Sequence, residues 1–65
     1  MSGSERLLTT VQAAEQLCIP AATLRAIRRR REIAAVNVGT ARRPIWRYRQ
    51  ADLDRWVRAR TVPAA

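Results

Sequence analysis

Arginine is the residue type that stands out in this sequence, and its spacing is uneven. All 13 basic residues are arginine, and the formal net charge is +8. Nine of the arginines lie between residues 25 and 49: Arg25, Arg28, Arg29, Arg30, Arg31, Arg42, Arg43, Arg47 and Arg49. A guanidinium group presents a planar set of N–H donors that fits the oxygens of a phosphate or the edge of guanine in two-point contacts. The pattern therefore predicts binding to a polyanion, and nucleic acid suits such forks best.

The charge is also segregated along the chain. Within residues 25–49 only Glu32 opposes the nine arginines, whereas the other four arginines are balanced by the other four carboxylates. A face selected for solubility alone intersperses both signs. We therefore expect one basic contact surface. RNA or an acidic protein is the alternative partner, and a GC-rich coding bias is the alternative cause of the arginine content.

Other residue types that could do chemistry are scarce. The chain has no histidine and a single cysteine, Cys18, which excludes imidazole catalysis, an internal disulfide and a zinc site built from cysteine and histidine. Cys18 lies among apolar positions, so we expect it to be a small buried hydrophobe rather than a reactive thiol. No carboxylate pairs obviously with a nucleophile. We predict no enzymatic activity, no cofactor and no metal.

A chain of 65 residues supports one domain with a modest core. We expect a flexible leader over residues 1–7, the domain over residues 8–60 and a flexible tail over residues 61–65. No segment approaches the roughly 20 apolar residues of a membrane span, and no apolar signal-peptide core is present. These features predict a cytoplasmic protein without membrane contact.

Two short helices with a tight connection open the domain. Thr9 and Gln12 have the spacing of a capping box, which predicts a helix over residues 10–17. Its expected apolar face consists of Val11, Ala14, Leu17 and Cys18. Pro20 ends the connection and suits the start of a second helix over residues 21–30.

The second helix separates two kinds of side chain. Leu24 and Ile27 point one way, whereas the opposite side carries Ala22, Arg25, Ala26 and Arg29. Two short helices of which the second presents small residues and arginines outward have the sequence form of a helix-turn-helix. The alternative is a plain helical hairpin with a solvated basic face.

The periodicity changes beyond Glu32. Apolar and polar side chains alternate over residues 36–38 and again over residues 46–49, and residues 39–44 separate the two segments. This pattern predicts a β-hairpin with a basic loop. A closing helix begins near Gln50, with Leu53, Trp56 and Val57 on its apolar face. The fold class is therefore α+β, mainly α: a winged helix-turn-helix with two N-terminal helices, a β-hairpin wing and a C-terminal helix.

The three aromatic residues, Trp46, Tyr48 and Trp56, are expected in the core, because so small a domain without phenylalanine needs them there. The alternative is a stacking platform for single-stranded bases, for which only Trp46 or Tyr48 on an open sheet face qualifies.

Several segments within this order of elements resemble those of a known family. Residues 8–17, Leu-Thr-Thr-Val-Gln-Ala-Ala-Glu-Gln-Leu, resemble the opening of excisionase-type, MerR-like winged helix-turn-helix domains. Residues 19–27 resemble that family's turn and recognition helix, residues 36–39 its first wing strand, and residues 46–57 its second strand and closing helix. The resemblance implies a DNA-binding protein that places the second helix in the major groove and the wing in the minor groove.

The resemblance also implies which residues contact DNA. Ala21, Ala22, Arg25 and Arg28 match the recognition helix, and Arg42 and Arg43 match the wing. To these we add Arg29 on the outward helix face, and Thr40 and Arg47 on the hairpin.

Phage and mobile-element proteins with this architecture are excisionases, or recombination directionality factors. Several copies bind repeated sites on double-stranded DNA, bend it and direct an integrase toward excision, within the host cytoplasm if the protein is phage-encoded. A small transcriptional regulator of the same fold is the alternative. Two positions depart from the family pattern: Cys18 stands where the turn usually has glycine, and Pro20 with two alanines replaces the small polar cap, which leaves few side-chain hydrogen bonds for base readout.

Overall fold

The computed structural model describes residues 6–64, which form three helices and three short strands. In chain order these are β1 (Leu7–Thr9), α1 (Thr10–Leu17), α2 (Ala21–Arg29), β2 (Val36–Asn37), β3 (Trp46–Arg49) and α3 (Gln50–Arg60). The predicted winged helix-turn-helix class is confirmed, with one strand more than expected. Most of the predicted leader lies outside the described residues, but Leu7, which the sequence assigns to that leader, is the first residue of β1.

Helix α1 has the predicted bounds and the predicted cap. The Thr9 hydroxyl oxygen accepts the backbone N–H of Gln12 at 3.1 Å, and the Gln12 side-chain oxygen accepts the backbone N–H of Thr9 at 3.0 Å. The predicted apolar face was wrong in part, since Ala13 and Ala14 are buried whereas Val11 is 55% exposed. At about 100° per residue the buried face is centred near Leu17, and Val11 lies roughly 110° away from that centre.

The end of α1 corrects the expectation for Cys18. This residue is exposed, not buried, and it adopts the left-handed conformation with φ 59° and ψ 38°. The backbone N–H of Ile19 donates to Ala14 at 3.0 Å and that of Cys18 to Glu15 at 3.1 Å, as in a Schellman motif. The helix therefore ends as the family's glycine would end it, with a cysteine in a conformation that glycine adopts more easily.

Helix α2 ends in the same way. The sequence predicts its end at Arg30, which is the C-cap, and Arg31 follows with φ 60°. The backbone N–H of Glu32 donates to the carbonyl of Ile27 at 3.2 Å. Both helices before the wing thus end at a left-handed residue that is not glycine.

The three strands form an antiparallel sheet in the order β1-β3-β2. Strand β1 pairs Leu8 with Tyr48, and β2 pairs Asn37 with Trp46. The predicted hairpin exists, although β2 is shorter than expected because Val38 lies beyond it; one more backbone bond, from Val38 to Ile45 at 2.8 Å, continues the pairing.

The core lies between the helices and the inner face of the sheet. Its buried members are Ala13, Ala14, Leu24, Ile27, Ile33, Tyr48 and Leu53. Tyr48 is completely buried, so it cannot stack on a base, and Trp46 and Trp56 are half-buried. Val57 is 46% exposed, contrary to the prediction for the closing helix, because the buried face of α3 is centred between Leu53 and Trp56. No helix within residues 6–64 is long and apolar enough to cross a membrane.

Candidate nucleic-acid interface

The outward face of α2 carries the predicted recognition residues. Leu24 and Ile27 are buried, whereas Ala22, Arg25 and Arg29 on the other side of the helix are exposed. Because α2 is fixed to the core along one side only, its opposite side is available to a ligand. Two of the predicted residues are less accessible: Ala21 is half-buried and packs against the core, and Arg28 is half-buried.

The first turn of α2 offers backbone donors and, from exposed Thr23, one hydroxyl group. Pro20 is the N-cap, and no side chain caps the helix. The first amides of a helix lack partners within the helix and carry a partial positive charge, which suits an anion. Exposed Ala22 adds no polar group there. This end of α2 is therefore suited to a phosphate or a thymine methyl group more than to hydrogen-bonded base readout.

The side chain of Asn37 organises the wing. Its Oδ1 accepts the backbone N–H of Gly39 at 2.9 Å and that of Ile45 at 3.0 Å, and its Nδ2 donates to the carbonyl of Thr40 at 3.3 Å. One amide side chain thus joins both sides of the wing loop. This role of Asn37 was not predicted, although Asn two residues before Gly is a turn signal.

The tip of the wing loop is a turn that two hydrogen bonds between Thr40 and Arg43 close. The backbone N–H of Thr40 donates to the carbonyl of Arg43 at 3.0 Å, and the Thr40 hydroxyl oxygen accepts the backbone N–H of Arg43 at 2.9 Å. A Cβ atom added to Gly39 would lie 2.2 Å from the carbonyl oxygen of Arg43. The close approach of the two sides therefore requires glycine at position 39.

The predicted wing residues have different environments. Arg42 and Arg43 are exposed on the ordered turn, so their guanidinium groups project from a defined backbone. Thr40 is exposed, but its hydroxyl already holds the turn. Arg47 is half-buried and donates from Nη1 to the carbonyl of Trp46 at 2.9 Å.

A cation–π contact links α2 to the wing. The guanidinium carbon of Arg28 lies 4.3 Å from the centroid of the Trp46 ring, which is cation–π geometry. Trp46 begins β3, directly after the wing loop and opposite Asn37. The contact therefore ties the orientation of the wing to α2. Sequence reasoning assigned Arg28 to DNA and Trp46 to the core, and did not pair them.

Glu32 forms ion pairs with two further arginines. Its carboxylate lies 3.2 Å from Nε of Arg30 and 3.0 Å from Nη2 of Arg60. Arg60 also lies over the Trp56 ring at 4.5 Å. Arg30 belongs to the nine-arginine segment, yet its charge is partly neutralised within the protein, so it contributes less to the contact surface than its neighbours on α2.

A family model described as a helix-turn-helix domain matches residues 7–61, a range that runs from the first residue of β1 to the residue after α3. No curated protein and no solved structure matches the chain.

Proposed function

Because the chain belongs to the helix-turn-helix domain family, which binds DNA, we propose that it is an excisionase that binds and bends duplex DNA and directs an integrase toward excision. In this proposal α2 enters the major groove and the wing enters the adjacent minor groove. Arg25, Arg28 and Arg29 contact bases and phosphates, together with Ala22 and Ala21. The wing contributes Thr40, Arg42, Arg43 and Arg47.

The observation that carries the proposal is the contact between Arg28 and Trp46. It brings two arginine-bearing elements, α2 and the wing, into contact with each other. A duplex offers successive grooves at a fixed spacing, so a protein that reads two grooves needs its two reading elements held at a defined separation. An isolated basic patch for an acidic protein does not need this.

The binding of several copies follows from how few bases α2 can contact. The nine residues of α2 span about 14 Å, which corresponds to roughly four base pairs. Alanines occupy its first two positions, so direct readout by hydrogen bonds is sparse. Useful specificity then comes from several copies on repeated sites and from DNA shape, with the Arg42 and Arg43 side chains favouring a narrow minor groove.

Site selection followed by a bending assay tests the proposal. Duplexes selected from a random library should contain repeated short sites, and a circular-permutation gel should show a bend that grows with the number of copies bound. The slope of log affinity against log salt should be about −4 to −6 per copy if four to seven phosphates are contacted. Reconstituted excision with an integrase whose attachment site carries the selected repeats should then depend on the protein.

Two outcomes contradict the excisionase role. Unbent DNA and selected sites that lie in promoters, with transcription altered and excision unchanged, would indicate a regulator. A salt slope near zero, or preference for structured RNA over duplex DNA of equal length, would contradict DNA binding.

A further inference from the structure

A concave surface of about 510 Å³ lies beside α2 and extends from the predicted contacts Arg28 and Arg29 to residues that were not predicted to contact DNA. It is bounded by the C-terminal end of α2, the segment 31–35, the start of β3 and Arg55 of α3. Four of its lining residues are arginines: Arg28, Arg29, Arg31 and Arg55. Four others are apolar, and the ninth is Glu32; the apolar ones are Ile33, Ala34, Ala35 and Trp46. We call this surface the arginine groove.

Arg31 lines the groove, and its backbone has a conformation that is unfavourable for arginine. Its φ of 60° is left-handed, and arginine in that region is less stable than glycine by about 1 kcal/mol. Its side chain is exposed, and the described part of the chain gives it no ion pair. The conformation itself ends α2, as that of Cys18 ends α1, and the guanidinium group that it carries is left available to an anion.

The acidic residues near the groove are already engaged. Glu32 contacts Arg30 and Arg60, and Asp52 lies 3.6 Å from Nη1 of Arg55. The Arg55 side chain is 74% exposed, and such a surface pair holds a side chain only weakly. The groove therefore has a net positive charge. Its carboxylates are paired with arginines, so they repel an anion only weakly.

The contact with Trp46 restricts the Arg28 side chain before an anion binds. The guanidinium group lies over the ring, and it carries five N–H donors, more than one ring contact can occupy. A guanidinium held in this way loses less side-chain entropy when it donates to a phosphate than a freely rotating one.

We propose that the arginine groove binds a segment of the DNA backbone, with Arg31 and Arg55 contacting phosphates and a deoxyribose ring packing against Ala34, Ala35 or Trp46. A nucleic-acid strand alternates anionic phosphates with largely apolar sugar faces, which matches a lining of arginine and apolar residues. Arg28 and Arg29 belong to both the groove and α2, so a duplex on α2 continues into the groove. This inference rests on the proposed DNA binding and adds Arg31 and Arg55 to its contacts.

Three variants and a matched control test it on the full chain with a selected duplex. Arg31→Gly should raise the melting temperature by several degrees, because it relieves the left-handed conformation, and should weaken duplex affinity by about 5- to 10-fold. Arg31→Ala should weaken affinity equally without the thermal gain. Arg55→Gln removes the charge but can still hydrogen-bond Asp52. Each change should make the salt slope shallower by about 1.

Arg58→Ala is the control, since Arg58 is an exposed arginine of α3 outside the groove and its loss changes the net charge equally. It should weaken affinity less than 2-fold and leave the salt slope unchanged. Groove variants that behave like Arg58→Ala overturn the inference. So does unchanged duplex affinity combined with lost binding of an acidic 12-residue peptide, which would assign the groove to a protein partner. If the wild-type chain binds no duplex, the proposed function fails first, and the groove inference falls with it.

Discussion

The side-chain oxygen of Asn37 accepts the backbone N–H of Ile45 at 3.0 Å, across eight residues of the wing loop. The same oxygen accepts the N–H of Gly39, and the amide nitrogen reaches Thr40. The wing is therefore closed by a side chain as well as by backbone pairing.

We predict that Asn37→Ala opens the wing and weakens DNA binding. Removing exposed hydrogen bonds of this kind should lower the local stability of the loop by about 1–2 kcal/mol. The amide of Ile45 should then exchange with solvent roughly 10-fold faster, and duplex affinity should fall about 3- to 10-fold. Asn37→Asp keeps the acceptor and should preserve most of the protection. Unchanged exchange at Ile45 in Asn37→Ala would show that backbone pairing alone holds the loop.

The contact between Arg28 and Trp46 predicts a graded effect of ring chemistry. A partly exposed cation–π contact contributes about 0.5–1 kcal/mol, so Trp46→Leu should weaken duplex affinity about 2- to 5-fold, and Trp46→Phe should weaken it less. The salt slope should stay constant, because Arg28 keeps its charge. Fluorescence anisotropy at several salt concentrations measures both quantities. Equal affinities for the Phe and Leu variants would contradict a role for the ring.

Cys18→Gly should stabilise the protein. Cys18 is exposed, with φ 59°, so glycine relieves the left-handed conformation at little loss of packing, and the gain should be about 0.5–1 kcal/mol. Thermal unfolding should show an increase of roughly 2–8 °C. Cys18→Ala removes the thiol and keeps the unfavourable conformation, so its melting temperature should stay near that of the wild type. If Ala and Gly raise it equally, the thiol is responsible and the backbone is not.

Tyr48→Phe should cost no stability. Tyr48 is completely buried, and its hydroxyl has no hydrogen-bond partner in the described part of the chain. Burying a hydroxyl without a partner is unfavourable, so its removal should change the free energy of unfolding by between zero and about +1 kcal/mol. Tyr48→Leu, which leaves a cavity, should lose at least about 2 kcal/mol. Urea unfolding distinguishes them. A loss above 1 kcal/mol in Tyr48→Phe would mean that the hydroxyl is hydrogen-bonded in solution.

The parts of the fold that could be predicted are those with local causes. The capping box of Thr9 and Gln12, the proline before α2 and the helical spacing of Leu24 and Ile27 act within a few residues, and α1 has the predicted bounds. Strand β1 could not be predicted in this way. Leu7–Thr9 is a strand because Tyr48 and its neighbours on β3 pair with it, and that pairing spans most of the chain.

In the candidate site, too, the features that could be predicted are those with local causes. The exposure of Arg25 and Arg29 follows from the helical period, and that of Arg42 and Arg43 from their place in a polar loop. The contact between Arg28 and Trp46 depends on where α2 and β3 meet in space, which no local pattern specifies. Cys18 was wrongly expected in the core because its apolar neighbours suggested burial, whereas its left-handed backbone turns it toward solvent.

The wing loop keeps its shape through residues that precede its tip. Asn37, Gly39 and Thr40 fix the turn by hydrogen bonds and close approach, and the tip residues 41–43 contribute only backbone groups to these bonds. The frame and the chemistry presented on it are therefore separable. A library randomised at residues 41–43 would display new side chains on an unchanged frame, so the wing is a natural place to reprogram which DNA sequences this fold prefers.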